Sequence, residues 1–412
     1  MANTPDIRFK GFTEPWVQCK LGELVQFSKG RGYSKADLKE SGTPIILYGR
    51  LYTQYETVIT DVDTFADVKT GSVYSHGGEV IVPASGETAE DISIASVVEK
   101  SGVLLGGDLN IITPPVNLDS MFLAISISNG KPHDDMAKMA QGKSVVHLHN
   151  TDLEKIDLVY PIHEEQVVIS TYFKRIDDLI NLYQCKRDEM SELKEFMLQK
   201  MFPKKGDQFP EIRFSGFTGA WERRKLGEMA PLRGGFAFKS NEYVSDGVPI
   251  VRISNILSDG SVGSEFAYYT EQNGDDAYTL TDGAALLAMS GATTGKVSIL
   301  HCKNADKYYQ NQRVGYFVST SNCDYGYVSI IVRSQPFTEQ LNSVLVAGAQ
   351  PNVSAKDIDS FEFMFPKSPA EQKCIGKFFG NLDTLITLHQ RKCNEFKDIK
   401  KFMLQNMFPK KG

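Results

Sequence analysis

The sequence has no long hydrophobic run. No stretch of its 412 residues approaches the ~18 consecutive apolar residues of a membrane-spanning helix. Its first residues, MANTPDIRF, also lack the basic-then-apolar pattern of a secretory signal peptide. We therefore expect a cytoplasmic protein that does not associate with membranes. At about 150 residues per domain, the length suggests two or three domains.

Closely spaced cysteine pairs are absent as well. The six cysteines are Cys19, Cys185, Cys302, Cys323, Cys374 and Cys393. None forms the C-x-x-C spacing of a zinc site, and nothing indicates a disulfide framework, so we expect reduced thiols and no metal. His147 and His149 bracket Leu148, but no third ligand is near them in sequence, which favours ordinary surface histidines.

Positive charge is scarce for a protein that would bind nucleic acid. The net charge is −6, and Lys plus Arg against Asp plus Glu gives 11 against 18 over residues 25–160 and 9 against 14 over residues 230–365. Dedicated DNA-binding domains usually carry a basic excess that neutralises phosphates. If these segments bind DNA, they do so through a locally basic face with help from partners.

What the sequence does contain is a tandem duplication. Residues 7–24 recur as residues 212–229 with 11 of 18 positions identical, and residues 165–206 recur as residues 371–412 with about half identical. Both copies of the second segment end in MFPKKG. The segments between them differ more, although SGTPI and DGVPI, Ser85-Gly86 and Ser290-Gly291, and Pro161 and Pro366 stay in register. The ends of each copy thus match while the middles have diverged.

Each copy ends in a predicted long helix. No Pro or Gly interrupts residues 164–200, and apolar residues recur there at helical spacing. The seam is predicted at Ile169, Phe173, Ile176 and Ile180 in the first copy and at Ile375, Phe379, Leu382 and Ile386 in the second. The first helix leads away from its module and the second must return, so we expect an antiparallel coiled coil that brings the chain end near Ile7. The alternative is that each helix packs only on its own domain.

The predicted fold class is α+β, with two pseudo-symmetric repeats. Short strand-like runs among Gly, Ser and Asn turns indicate a mixed α/β module in each repeat, followed by the long helix. The predicted boundaries are 1–160 for the first module, 161–206 for the first helix, 207–366 for the second module and 367–412 for the second helix. The sequence does not predict the strand order.

Several segments resemble the specificity subunits of type I restriction-modification enzymes. In the second copy they are residues 234–256, 288–299, 311–317 and 348–392, and in the first copy residues 30–52, 84–94 and 142–166 show a looser version. Each motif alone is weak, but their order, spacing and duplication cover essentially the whole chain. The chain is therefore identified as similar to that family.

The resemblance implies a division of labour. Each module would be a target-recognition domain that reads one half of a bipartite site in double-stranded DNA, and the helices would act as a spacer. Two methylation subunits that bind S-adenosylmethionine, and motor-nuclease subunits that use ATP and Mg²⁺, would carry out the chemistry. This chain would be non-catalytic and hold no cofactor. The alternative is a two-module protein-protein adaptor with a coiled-coil spacer.

Enzyme motifs within the chain fail on spacing or composition. The string SGATTGKVS at residues 290–298 has three residues between its glycines where a nucleotide-binding loop has four, and Val297 replaces the hydroxyl residue that would hold Mg²⁺. The string ITPPVN at residues 112–117 lacks the amide and the aromatic ring that a base-flipping methyltransferase would need. Neither string predicts catalysis.

DNA contacts are expected from basic, polar and aromatic residues in Gly-rich loops, because such side chains supply the donors and acceptors that read base edges. The candidates in the first module are Lys29, Arg31, Tyr33, Lys35, Tyr48, Arg50, Ser85, Thr88, Lys143 and Ser144. Those in the second are Arg233, Phe236, Lys239, Arg252, Asn255, Ser290, Thr293, Lys296, Asn311, Gln312, Arg313, Gln350 and Asn352. The alternative for each is a solvated loop residue, or for Phe236 and Phe238 a core position.

The two helix copies differ in charge. Residues 164–206 contain 8 basic and 8 acidic residues, whereas residues 371–412 contain 9 basic and 4 acidic ones. The excess in the second copy fits contact with DNA phosphates, contact with an acidic partner face, or a solvated charged stripe.

Overall fold

The computed structural model describes residues 4–140, 145–204, 206–302, 307–347 and 352–409, and only the backbone of Val346 and Ala347. It divides into two compact units, one of residues 1–184 and 391–412, the other of residues 185–390. Both divisions fall inside the long helices, so each unit contains a module, half of one long helix and half of the other. The helices were expected within residues 161–206 and 367–412, and they span His163–Lys200 and Pro369–Asn406.

The first unit is built from short strands and few helices before its long helix. Its strands are β1 (Val17–Lys20), β2 (Gln26–Lys29), β3 (Leu38–Lys39), β4 (Thr43–Ile46), β5 (Val58–Ile59), β6 (Phe65–Ala66), β7 (Glu79–Pro83), β8 (Ser85–Gly86), β9 (Ser96–Val98), β10 (Leu104–Leu105), β11 (Leu109–Thr113), β12 (Val146–His147) and β13 (Asp157–Tyr160). Its helices are α1 (Leu21–Leu24), α2 (Arg50–Thr53), α3 (Ser120–Ile127), α4 (Gly130–Met139), α5 (Asn150–Leu153) and α6 (His163–Lys200).

The second unit repeats this layout. Its strands are β14 (Glu222–Lys225), β15 (Leu232–Arg233), β16 (Val248–Val251), β17 (Ala267–Tyr269), β18 (Thr279–Leu280), β19 (Ala285–Ala288), β20 (Val297–Ile299), β21 (Tyr308–Gln310), β22 (Val314–Phe317) and β23 (Glu362–Phe365). Its helices are α7 (Leu226–Met229), α8 (Tyr325–Ile331), α9 (Gln335–Ala347), α10 (Ala355–Asp359) and α11 (Pro369–Asn406).

Equivalent sheets occur in both modules. A sheet of order β2-β11-β7-β9-β5 in the first corresponds to β15-β22-β19-β20 in the second. The sheet β10-β4-β6-β3 corresponds to β18-β21-β16-β17, in which β21-β16-β17 matches β10-β4-β6. The second sheet of each module contains one parallel pair, β4 with β10 and β16 with β21. A terminal antiparallel pair, β1 with β13 and β14 with β23, joins the two ends of each module. The predicted α+β class and its two repeats are thus confirmed.

The long helices run antiparallel within each unit. In the first unit Lys400 Nζ donates a hydrogen bond to Asp177 at 2.5 Å, and the rings of Tyr183 and Phe396 stack 5.8 Å apart. The partner number on α11 falls as the number on α6 rises, which defines an antiparallel pair. The second unit shows the same order, with Arg187 bonded to Gln390 at 2.7 Å and Lys194 to Asp383 at 2.5 Å.

The predicted apolar seam is only partly interhelical. Ile176 and Ile180 lie in a cluster with Cys393 and Phe396, as a seam requires. The other buried seam residues belong instead to the module cores, namely Ile169 and Phe173 in the first and Ile375, Phe379 and Leu382 in the second. Ile386 is half-buried. These clusters also contain Met403 and Leu404 of α11 in the first unit and Met197 and Leu198 of α6 in the second. The first turns of each helix therefore pack on a module together with the last turns of the other long helix.

The far end of each helix closes the core of a module. In the first unit the backbone N–H of Ile7 donates to Asn406 O at 2.9 Å, and Phe408 packs on Trp16. In the second unit Ile212 N–H donates to Lys200 O, also at 2.9 Å, and Phe202 packs on Trp221. The sequence predicted that the second helix returns towards Ile7, and the hydrogen bond from Ile7 to Asn406, the last residue of α11, agrees with it.

Candidate nucleic-acid interface

Loops of the first module meet at one edge of its sheet. Strand β11 is antiparallel to both β2 and β7, so the segments that follow β2 and β7 lie beside the segment that precedes β11. Backbone hydrogen bonds join them, from Ala84 N–H to Asp108 O at 2.8 Å and from Leu148 N–H to Ala84 O at 3.0 Å. We call residues 29–32, 84–88, 106–108 and 147–149 tip 1.

The second module builds the same arrangement with the same bonds. Met289 N–H donates to Arg313 O at 3.0 Å, Val353 N–H donates to Met289 O at 3.1 Å, and Gln312 N–H donates to Phe236 O at 2.8 Å. We call residues 234–237, 289–296, 311–313 and 352–354 tip 2. Corresponding positions of the two tips are 205 residues apart, as the paired bonds of Ala84 and Met289 show.

A glycine in each tip permits the closest approach of two loops. A Cβ added at Gly30 would lie 1.9 Å from Gly106 O, and one added at Gly235 would lie 2.3 Å from Gln310 O. Neither contact is possible for a residue with a side chain. The glycines that mark both loops in the sequence are therefore needed for the shape of the tips.

The tips have similar backbones but different exposed side chains. Arg31 of tip 1 corresponds to Phe236 of tip 2, and both are exposed. Asp108 of tip 1 corresponds to Arg313 of tip 2, so the charge at this place is reversed. A ligand that meets both tips would meet a different chemical surface at each.

Several predicted DNA-contacting residues lie exposed on the tips. In the first module they are Lys29, Arg31 and Thr88, and in the second Phe236, Gln312, Arg313 and Asn352. Ser290, Thr293, Lys296 and Asn311 are on tip 2 and half-buried. Thr293 Oγ1 donates to Ile253 O at 3.2 Å and Lys296 Nζ donates to Ser258 Oγ at 2.6 Å, which fixes the turn that carries them.

Other residues predicted to contact DNA are buried and hydrogen-bonded within the modules. Tyr33 is buried, and its hydroxyl bonds Ser72 Oγ at 2.6 Å. Ser85 is buried and bonds His147 Nδ1 at 3.0 Å. Asn255 is 0% exposed and uses its side-chain amide to bond Gly263 O and Glu265 O. These residues shape the modules from inside.

Two of the predicted arginines are structural as well. Arg50 forms ion pairs with Glu56 and Asp63 at 2.8 and 2.7 Å, and its side chain is 10% exposed. Arg233 donates to Gln310 Oε1 and to Thr279 O and lies over the ring of Tyr316. Burial lowers the pKa of the Arg233 guanidinium. Both guanidinium groups are held by partners within their own module.

The remaining candidates lie beside the tips or outside the described residues. Lys35 and Lys239 are exposed, Lys239 in an ion pair with Glu242, whereas Tyr48 and Arg252 are half-buried. Lys143, Ser144 and Gln350 fall outside the described residues.

Two features of the tips escaped the sequence analysis. Asp108 was not among the predicted contacts, and His147 and His149 were interpreted as ordinary surface residues. Both histidines are exposed on tip 1, with their rings parallel and 6.4 Å apart. Alignment of the two repeats position by position would have placed them opposite Arg313, Asn352 and Ser354.

Among the described residues, no group of His, Cys, Asp and Glu could hold a metal ion. No helix in the described part of the chain is both long and apolar enough to cross a membrane. The exposed groups of the tips are hydrogen-bonding, charged and aromatic side chains.

Comparisons with known proteins agree with this arrangement. The model of the type I restriction modification DNA specificity domain matches the chain twice, at residues 13–192 and 219–398. The type I restriction enzyme MjaVIII specificity subunit of Methanocaldococcus jannaschii is 22% identical over 400 residues, which cover 94% of this chain and 91% of that protein. The crystal structure of a type I restriction-modification system S subunit from M. genitalium shares the fold, with a TM-score of 0.70, 13% identity and coverage of 99% of this chain and 100% of that one.

The two family matches fall one on each repeat and together cover most of the chain. They contain tip 1 and tip 2 and extend into both long helices. The chain thus belongs to the type I restriction-modification DNA specificity family and is a specificity subunit with two DNA specificity domains.

Proposed function

We propose that each module is a target-recognition domain that reads one half of a bipartite DNA site through its tip. The observation that carries this proposal is that the two tips have similar backbones but different exposed residues at equivalent positions. The main differences are Arg31 against Phe236 and Asp108 against Arg313. One framework that presents two different surfaces suits two different half-sites. A protein that read the same sequence twice would have no need of the difference.

The chemistry of tip 2 suits direct readout. Arg313 and Gln312 are exposed side by side, and in the major groove Arg reads guanine and Gln reads adenine through paired hydrogen bonds. Phe236 is 46% exposed, and its ring packs on Tyr278 and Phe238 at 4.8 and 5.0 Å. An aromatic ring held in this way offers an apolar contact to a thymine methyl group or an unstacked base step.

Tip 1 offers a different set of groups. Lys29 and Arg31 provide positive charge, Asp108 provides an acceptor, and His147 and His149 provide imidazole rings. An acid at a DNA-facing position accepts a hydrogen bond from the cytosine amino group and is repelled by phosphates. We therefore propose that Asp108 faces a base edge and that Lys29 and Arg31 contact the backbone or guanine.

Partner subunits complete the enzyme in this proposal. Both modules are acidic overall, so most of the phosphate affinity must come from elsewhere in a complex. We propose that two methylation subunits that bind S-adenosylmethionine, and motor-nuclease subunits that use ATP and Mg²⁺, assemble on this cytoplasmic, non-catalytic chain. The paired long helices would set the distance between the two half-sites.

Exchange of one target-recognition domain tests the proposal. Residues 25–160 are replaced by the equivalent module of a related specificity subunit, and the methylated sites are mapped in cells that carry the partner subunits. We expect one half-site to change while the other half-site stays the same. A change in both half-sites, or in neither, would contradict the two-reader proposal.

The acidic modules favour a second candidate, in which the chain is a protein-protein adaptor with a coiled-coil spacer. Titration of labelled duplex DNA with the chain and its partners, repeated at rising salt, separates the two. Binding through phosphates weakens steeply with salt. A complex with no sequence-selective duplex binding at low salt would favour the adaptor.

A further inference from the structure

A lysine-lined groove lies in the first unit, formed by the start of α4 and the last turns of α11. It has a volume of about 800 Å³ and is lined by Asn129, Gly130, Lys131, Asp134, Lys397, Lys400, Lys401, Leu404, Gln405, Asn406, Phe408 and Pro409. Nothing in the proposed reading of DNA by the tips uses this groove. We propose that it is a docking site for an acidic, amphipathic polypeptide segment of a partner protein.

Two of the lysines form no ion pair with any residue that the structure describes. Lys397 and Lys401 are exposed, one turn apart on the same helix face. Lys400, in contrast, is bound to Asp177 at 2.5 Å, and Lys131 lies 3.6 Å from Asp157. The charges of Lys397 and Lys401 are therefore available to a ligand, while Lys400 keeps the two long helices together.

Apolar residues set the class of ligand. Leu404 and Pro409 are half-buried and line the groove beside the lysines, and the buried ring of Phe408 forms part of its floor. A polypeptide with carboxylates next to apolar side chains satisfies both parts of this surface, because burial of its apolar groups adds to the attraction of its charges. A phosphodiester backbone carries charge but no apolar side chain, so it would leave that part of the groove uncovered.

The groove's charge is not duplicated. Lys397 and Lys401 of α11 correspond to Ser191 and Glu195 of α6, and Lys131 and Asp134 correspond to Pro336 and Glu339. The equivalent place in the second unit has the lysines Lys194 and Lys200, but also Glu195 and Glu339. Its charges therefore balance, and it has no net positive charge to attract an acidic segment. We therefore expect an acidic segment to bind at the groove of the first unit and not at the equivalent place in the second.

A peptide selection tests this proposal. The full chain is immobilised and used to select binders from a phage-displayed library of short random peptides, with depletion on the variant that carries Lys397→Glu and Lys401→Glu. We expect the enriched peptides to combine Asp or Glu with Leu, Ile or Phe. The most enriched peptide, labelled with fluorescein, should bind the parent chain in a saturable way and the variant about tenfold or more weakly.

Two controls keep the outcome clear. The variant with Lys373→Glu and Lys377→Glu makes the same change of charge at exposed positions near the start of α11, and it should bind the peptide like the parent. A duplex of unrelated sequence should not displace the peptide. The proposal would be overturned if the selection did not enrich acidic peptides or if the two charge-reversed variants bound the peptide equally well. Displacement of the peptide by the duplex would also overturn it. None of these results bears on the reading of DNA by the tips.

Discussion

Arg213 Nε donates a hydrogen bond to Glu371 Oε1 at 2.6 Å, and Glu371 is 1% exposed at the start of the second long helix. The same bond joins Arg8 to Glu165 at 2.7 Å in the first repeat. In both repeats the residue after the glutamate is a glutamine, Gln166 or Gln372. Its side-chain amide donates a hydrogen bond to a backbone carbonyl and accepts one from the backbone N–H of an N-cap aspartate of the module. Each long helix is therefore fixed to its own module by a buried, duplicated joint.

Substitution of this joint should destabilise one unit. Glu371→Gln keeps the shape of the side chain but removes the charge that Arg213 and Trp221 Nε1 contact. A hydrogen bond to a charged group contributes about 1.5–3 kcal/mol, so we expect a loss of that size from the free energy of unfolding. The chain has two tryptophans, Trp16 and Trp221, one in each unit, so fluorescence of the Trp16→Phe variant reports urea unfolding of the second unit alone.

A surface ion pair is the control for this measurement. Glu362 lies 3.7 Å from Arg223 and is half exposed to solvent. Because exposed pairs contribute about 0–1 kcal/mol, Glu362→Gln should change the urea midpoint little. Equal effects of the two substitutions would mean that the joint at Glu371 does not hold the helix.

Acid should weaken the contact between the helices in the second unit. Burial alone would raise the pKa of Asp383, but Arg333 and Lys194, at 2.9 and 2.5 Å, outweigh it and hold the pKa below its usual value. Because its pKa is lowered, ionised Asp383 stabilises the folded state at pH values above about 3.9, the ordinary pKa of an aspartate. This stabilisation is lost as the pH falls below that value. Asp383→Asn should therefore be less stable than the parent near pH 7, with a difference that shrinks below about pH 4.

Urea unfolding of the parent and of Asp383→Asn at a series of pH values measures that difference. Asp398→Asn, an exposed change on the same helix, is the control. A stability difference that stays constant down to about pH 3 would show that Asp383 acts by shape and not by charge.

The purified chain alone should neither methylate nor cleave DNA. No nucleotide-binding or methyltransferase motif is present in the sequence, and the tips carry recognition groups. Assays with S-adenosylmethionine, ATP and Mg²⁺, with and without the methylation and motor subunits, check this. Turnover by the pure chain would refute the assignment of all chemistry to its partners.

Lengthening both helices should alter the spacer of the DNA site. One extra heptad after Met190 and after Phe396 preserves the phase of both helices and adds roughly 10 Å. On a duplex that rises about 3.4 Å per base pair, this corresponds to about three base pairs and a turn of roughly 100°. We expect unchanged half-sites with a shifted or weakened spacer preference. A folded variant that binds tightly with the parental spacer would show that the helices do not set the distance.

The sequence predicted the architecture well because the architecture is repeated. Matching ends, apolar residues at helical spacing and shared glycines each appear twice, and each leaves a local pattern. The joint of Arg8 with Glu165 was within reach, since its residues are identical in both copies, but only the fold shows that they meet across 157 positions.

Individual contacts were harder to predict because tip residues and buried residues are of the same types. Phe236 is exposed while Phe238, two positions on, is buried in an aromatic cluster. Arg313 is exposed while Arg233 is held over Tyr316. Which arginine or aromatic ring faces outward depends on the register of β15 and β22, and the sequence did not predict the pairing of these strands.

The account's central claim is that the two tips read separate half-sites. Duplexes with randomised half-sites are selected with the complex that contains the parent chain, with Gln312→Ala combined with Arg313→Ala in tip 2, or with Arg31→Ala in tip 1. Loss of a paired base contact costs about 1–3 kcal/mol, so discrimination at the affected position should fall roughly tenfold to a hundredfold. The tip 2 variant should relax one half-site, the tip 1 variant should relax the other, and each should leave its counterpart intact. Relaxation of the same half-site by both variants, or uniform weakening with no change in sequence preference, would contradict the account.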